Sequence, residues 1–489
     1  PEYLAINQSV DGKRNFLLSK NSGANISFVS EMPENLTFLI SPTNKNILYC
    51  GYVVLYRSDD GGKNWNQISN WYGGTGLPEV HADHHYAAFN PLQKNNLFFC
   101  CDGGVYRYAE SANSFTELCN GLPISQFYKM AISSGTPPLM VMGSQDNGGF
   151  VRRTNGSWGN TNGGDAMWQL IDPNNSNVGY TEYWGGTAVY RTTNGFNSLT
   201  EISQNIPGTP QGNWVTPFAF NPKNTKAFFI GYEDIFVSYD RGDHFTKLTN
   251  NLTGAVDKEL SNLELNAADS NWILAAHSNI LYSSKDHGKT WTNTNLSSGE
   301  RISDIEMHPS QSTRAWVTRS GLSQANKIFT TSDKGKTWLN ITGNFINTPV
   351  LSITFDEPTN TLFTGTDVGV FYTDADLINW QIYGNNMPKT SITDLDIHAG
   401  TRSLYASTFG RGVYSINLPD CYPTEIQLSC SINKANFVQI DSQKVCIGDT
   451  IRFKTIQNYI DGQYKWTGPS KLDTTLLGTQ FSPELAIKS

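Results

Sequence analysis

Charge, paired cysteines and long apolar runs are all scarce in this sequence of 489 residues, and each shortage narrows what the chain can be. Charged residues make up 16 % and the net charge is -8, with no long basic run to supply the footprint that phosphate backbones or anionic membranes need. No nucleic-acid partner is expected. No stretch approaches the roughly 18 consecutive apolar residues of a membrane helix, so no transmembrane segment is expected either. The 7 cysteines contain no Cys-x-x-Cys pair, which argues against a zinc ribbon or a thioredoxin-type site. Four of them, Cys50, Cys100, Cys101 and Cys119, fall early, and Cys421, Cys430 and Cys446 fall late. Neither a metal nor a cofactor is expected. The chain opens at Pro1 without the charged and apolar regions of a signal peptide, which reads as mature sequence of a longer polypeptide with further domains missing at both ends.

What is abundant points to sheets and turns. Aromatic residues reach 12 % and there are 43 glycines, so surface polarity must come from Asn, Ser and Thr, which suit turns and sheet edges. A chain this long exceeds what one hydrophobic core supports, so it is several domains or a repeat array that adds core unit by unit. Four segments share the pattern Ser/Thr-x-Asp-x-Gly-x-x-Trp/Phe. They are Ser58, Asp60, Gly62 and Trp65; Ser238, Asp240, Gly242 and Phe245; Ser284, Asp286, Gly288 and Trp291; and Thr331, Asp333, Gly335 and Trp338. Decayed copies fill the intervals, and adjacent aromatics recur at roughly 42 to 50 residues, the length of a four-stranded propeller blade. In each copy the Asp carboxylate can accept N–H groups of its own turn, the Gly supplies a positive φ, and the aromatic folds back over the hairpin. Asp60, Asp240, Asp286 and Asp333 are therefore read as fold determinants.

These boxes resemble the Asp-box, or BNR, repeats of sialidases, of sortilin-type (Vps10-like) receptor domains and of xyloglucan-degrading glycoside hydrolases. The resemblance implies an all-β propeller whose boxes lie on the outer rim, away from the ligand-binding face. About ten modules are present. Two architectures fit: tandem seven-bladed rings with the first truncated, or a single ten-bladed ring. The tandem is preferred, with 1–121 as blades of a first propeller, 122–418 as a complete seven-bladed propeller, and 419–489 as the start of an Ig-like or PKD-like domain. The last assignment rests on Val445, Cys446, Gly448, Asp449 and Trp466, which resemble the opening strands of such a module.

Between the second and fifth modules the sequence departs from the repeat. The departures are His81-Ala82-Asp83-His84-His85, Cys101-Asp102-Gly103-Gly104, Gly143-Ser144-Gln145-Asp146-Asn147-Gly148-Gly149 and Gly163-Gly164-Asp165. They resemble motifs of large secreted BNR-repeat proteins of the Bacteroidetes group, which implies an extracellular or outer-surface location. A glycosidase needs one carboxylic acid and one carboxylate facing each other across a cleft, and Asp102 and Asp146 are the candidates. Their contexts resemble the catalytic strands of xyloglucanases, where the two aspartates lie several hundred residues apart rather than on consecutive modules. The bland reading of both is a turn-forming Asp beside two glycines. His81, Asp83, His84, Gln145 and Asp165 are the candidate ligand-binding residues, and Trp168, Tyr183 and Trp184 are candidate stacking platforms for sugar rings. The function expected is a secreted or cell-surface propeller that binds an extracellular polysaccharide or protein ligand. The alternative is a secreted, xyloglucanase-like glycoside hydrolase using the paired aspartates.

Overall fold

In the computed structural model the described residues are 4–419, apart from 11, 209, 255–258, 295, 297–298, 323–324 and 385, together with short strands between 428 and 486. Pro1–Leu418 forms one compact unit and Pro419–Ser489 a second. Among the described residues there are strands and short 3-10 turns but no α-helix.

The first unit holds ten antiparallel sheets in chain order, each built by consecutive strands that meander from one edge to the other. They cover 4–31, 37–67, 84–117, 127–160, 166–201, 218–247, 262–294, 302–340, 350–383 and 392–417. The first and tenth have three strands and the others four. The sequence of the tenth module, Ile392 to Leu418, carries no Asp-box strand of its own, and among the described residues its sheet has three strands.

Position within a sheet explains the strand sequences. Middle strands are covered on both faces by neighbouring sheets, so they read as unbroken apolar or small-residue runs: Ile235–Ser238 and Thr361–Thr366 are buried at every position. Outer strands are short and exposed, as at Thr246–Lys247 and Leu339–Asn340. Core forms between the first and second sheets, the second and third, and successive sheets from the fourth onward. Tyr180 of the fifth sheet stacks on Phe228 of the sixth at 3.9 Å and 11°, within a cluster that includes Val178, Phe218, Ile230 and Phe245. Burying each such side chain contributes roughly 1.5–3 kcal/mol before entropy, so stability accumulates sheet by sheet.

The first strands of the fourth to tenth sheets lie side by side in order, and the series returns on itself. The first strand of the tenth sheet, Ile392–His398, touches both Val350–Asp356 of the ninth and Phe127–Ile132 of the fourth. Gln126 bridges Phe409, and Thr393 Oγ1 donates to Phe127 O at 2.7 Å. One cavity of about 470 Å³ is lined by residues from all seven of these first strands. It is an axial channel.

The boxes are built alike. Asp60, Asp240, Asp286 and Asp333 each accept a backbone N–H four residues on, at 2.8–2.9 Å, and Gly62, Gly242, Gly288 and Gly335 all have positive φ. Hydrogen bonds from the side chain and the backbone N–H four residues on lower the aspartates to about 2. The buried polar side chain of each box is that of its first residue. Ser58, Ser238, Ser284 and Thr331 are at most 2 % exposed, and each hydroxyl accepts the Gly N–H at 2.7–3.0 Å while donating to the Asp carboxylate.

In the second unit, strands pair in the order Val438–Gln439, Leu428–Ile432, Thr450–Thr455, Leu485–Ala486, beside a hairpin of Gln463–Trp466 with Thr474–Leu477. Val445, Cys446, Gly448 and Asp449 lie outside the described residues.

Candidate functional site

The departures from the repeat meet where the third sheet adjoins the fourth. Asp102 sits in the turn between Asn96–Cys101 and Gly104–Ala109, and Asp146 in the equivalent turn between Met140–Ser144 and Gly148–Arg152. The two turns are tied together. Asn147 Nδ2 donates to Asp102 O at 3.0 Å, and His81 Nε2 lies 3.0 Å from Asp146 O. The loop before the fifth sheet joins them, because Asp165 Oδ1 accepts Asp146 N at 2.9 Å. Asp102 Oδ1 in turn lies 2.6 Å from His85 Nε2.

Glycine makes these approaches possible. A Cβ on Gly103 would fall 2.4 Å from His81 Cβ and Cγ, and one on Gly148, at φ 78°, would fall 2.2 Å from Asn162 O. Asp146 itself adopts φ 58° and Asp83 φ 60°, conformations that Asp tolerates better than most residues because its short polar chain bonds locally.

The result is a group of carboxylates that feel one another. Partial burial, then the charges of Asp165 and Asp102, push Asp146 up to about 6. Burial and the charge of Asp102 also raise Asp83, opposed by His81 and His85. A carboxyl that holds its proton toward neutral pH beside a carboxylate paired with histidine is the division of roles that acid-base chemistry uses.

An aromatic surface adjoins the group. Trp184 and Trp214 stack at 5.7 Å and 20° and remain 44 % and 46 % exposed. Trp214 Nε1 donates to Tyr128 Oη at 2.9 Å, and Tyr128 Oη donates to Gln145 Oε1 at 2.8 Å. Tyr128 also packs on Phe409 at 5.5 Å, and burial, aided by the charges of Asp165 and Asp146, raises its pKa. Indoles, phenol, amide and carboxylates thus form one continuous chain across the fourth to sixth sheets.

Three expected residues are placed differently. His84 is not at the surface: it is buried against Phe99 at 6.0 Å, neither ring nitrogen has a partner, and burial lowers its pKa to about 4. Strand alternation turns it inward while His85 faces out. Trp168 points into the channel, its ring 4.9 Å from Lys129 Nζ, so it does not join the aromatic surface. Tyr183 fills the space over Gly164 and meets Tyr190 edge-on at 5.9 Å, bracing the loop that carries Asp165. Tyr128 and His85 are the partners that a search for acids and stacking residues misses. Nothing local marks Tyr128, because its role depends on Trp214, 86 residues away. Among the described residues no group of three or more His, Cys, Asp or Glu side chains has the arrangement of a metal site.

Known proteins can now be set beside this geometry. The sortilin family (sortilin, neurotensin receptor 3) matches residues 279–460, and the BNR-Asp box repeat matches residues 55–68. No curated protein matches. Similar solved structures include the GH74 enzyme of Niastella koreensis, at 14 % identity over 85 % of this chain and 82 % of that one, with a TM-score of 0.36. Another is the extracellular domain of a B. thetaiotaomicron protein described as a one-component system, at 11 % identity over 97 % of this chain and 67 % of that one, with a TM-score of 0.46. Among the described residues no helix is long and apolar enough to cross a membrane. With its boxed hairpins and its succession of four-stranded antiparallel sheets, the chain folds as a β-propeller that carries Asp-box, or BNR, repeats.

Proposed function

We propose that this propeller is a secreted or cell-surface module that binds a neutral polysaccharide at the junction of its third and fourth sheets. The observation that carries the reading is the continuity of the exposed Trp184–Trp214 stack, through Tyr128 and Gln145, with Asp146, Asp165 and Asp102. Sugar rings offer apolar faces to indoles and hydroxyl groups to carboxylates, and this surface presents both side by side. Residues 122–418 are read as one closed seven-bladed ring, supported by the return of the tenth sheet to the fourth, and 1–121 as blades of another ring. The antiparallel strands of 419–489 support an Ig-like or PKD-like opening.

A second reading, hydrolysis, is favoured by one specific feature: Asp146 is shifted up to about 6 beside Asp102 and Asp165. Asp146 would serve as acid and Asp102 as its partner across the cleft. A glycan array with the wild type and Trp214→Ala tests binding. Affinity for a neutral polysaccharide that falls roughly three- to tenfold in the variant supports the module, whereas no glycan binding, or binding indifferent to Trp214, rejects it. Release of reducing ends that Asp146→Asn abolishes would move the protein to the hydrolase reading.

A further inference from the structure

The rim carries a second kind of groove. Between the outer strand Thr292–Thr294 of the seventh sheet and the box of the eighth lies a cavity of about 770 Å³, within the range that binds small ligands. Among the described residues its walls hold Lys285, Lys336, Trp338, Asn293, Thr337 and Asn340 with others, and no carboxylate. That is notable on a chain with 43 acidic and 35 basic residues. Lys285 and Lys336 are exposed, and neither ammonium has a hydrogen-bond or ion-pair partner among the described residues. The neighbouring box carboxylate, Asp333, is already taken up by Thr331 and Thr337. Two uncompensated cations therefore face a space walled by amides, hydroxyls and one indole.

The arrangement recurs. A cavity of about 560 Å³ is lined by Lys63, Asn64 and Trp65, the same box positions as Lys336, Thr337 and Trp338, against Glu31 at the end of the last strand of the preceding sheet. It also holds Glu31 and Arg14, so its charge is mixed and the groove at Lys285 and Lys336 is the stronger site.

We propose that the groove between the seventh and eighth sheets binds a segment of an anionic, carboxylated polysaccharide, independently of the junction site. The lysines meet the carboxylates of the ligand, the Asn293 amide meets its hydroxyl groups, and Trp338 lies along the wall. A protein ligand fits less well, because a peptide interface needs buried apolar anchors and this lining is mainly polar.

The test uses the full chain in a Trp184→Ala/Trp214→Ala background, which removes the junction's exposed indole stack. Calorimetric titrations compare a galacturonic acid hexasaccharide, cellohexaose and poly-glutamate, with Lys285→Glu/Lys336→Glu and Lys285→Arg/Lys336→Arg as variants. Both lysines are exposed and unpaired, and near-UV circular dichroism confirms that the variants remain folded. The hexagalacturonate is expected to bind, to weaken about tenfold in the Glu variant and with added salt, and to recover in the Arg variant. Cellohexaose should bind much more weakly. Equal affinity in the Glu variant, equal affinity for cellohexaose, or equally tight poly-glutamate overturns the proposal. None of these outcomes bears on the junction, which is read with Trp184 and Trp214 intact.

Discussion

Lys129 Nζ and Asp394 Oδ1, 265 residues apart in the chain, form an ion pair of 2.9 Å on the channel wall. Asp394 Oδ2 also accepts Met130 N at 3.0 Å, so one carboxylate of the tenth sheet clasps both main chain and side chain of the fourth. Asp304 lies 3.9 Å from the same ammonium. Lys129→Met would leave these largely buried carboxylates without their cation, a loss expected to cost about 3–5 kcal/mol at neutral pH. Urea denaturation measures it, and a change below about 1 kcal/mol would mean that the clasp adds little to stability.

Asp146 gives a pH signature. Its folded pKa of about 6 lies above its ordinary 3.8, so the folded state binds the proton more tightly. The associated stability is fully present below the ordinary value and is lost as pH rises through 6. Asp146→Asn should therefore melt at a higher temperature than wild type at pH 7 and show no such advantage at pH 3.5. Parallel melting curves across that interval would reject the assignment. Channel acids such as Asp396 titrate in the same region, but they are common to both proteins and cancel in the difference.

His84 works in the opposite direction. Its folded pKa, about 4, lies below the ordinary 6.5, so the unfolded chain takes up the proton first and stability falls as pH drops from 6.5 toward 4. His84→Leu removes a buried ring whose two nitrogens have no partner. The variant should equal or exceed wild type in melting temperature at pH 7 and exceed it clearly at pH 5. A less stable variant at pH 5 would show that the ring has a partner after all.

Within a box the hydroxyl should matter more to stability than the acid. Ser284 is buried and bonds both Gly288 N and Asp286, so Ser284→Ala is expected to cost about 1–3 kcal/mol. Asp286 is only half-buried, and its pKa is lowered to about 2 chiefly by the Thr290 hydroxyl and N–H. Its contribution is present above pH 4 and disappears as pH falls toward 2. Asp286→Ala should lower the melting temperature by less than Ser284→Ala at pH 7, and not at all at pH 2. Neither should alter polysaccharide binding at the junction. The reverse order of melting temperatures would contradict the burial argument.

The fold was legible because each box is a local device. Ser, Asp, Gly and an aromatic within eight positions close their own turn, so the pattern can be read without knowing any distant contact. The same locality explains why Asp102 and Asp146 could be singled out, since each sits in a Gly-rich turn that breaks the repeat. It also explains the errors. His84 and Trp168 have the right chemistry in the right stretch, but which way a strand side chain faces is fixed by register, and a bulge between Ala166 and Gln169 shifts the register beside Trp168.

The amino-acid sequence by itself determined the hairpins, their boxes and the all-β class, because those depend on residues a few positions apart. Tertiary structure alone decided that the tenth sheet meets the fourth, that Tyr128 links Trp214 to Gln145, and that three aspartates from separate turns share one electrostatic environment. Those relations join residues from 17 to 283 positions apart, and they arise from the stacking of whole sheets, whose apolar faces specify that a neighbour must come without specifying which polar groups it will bring.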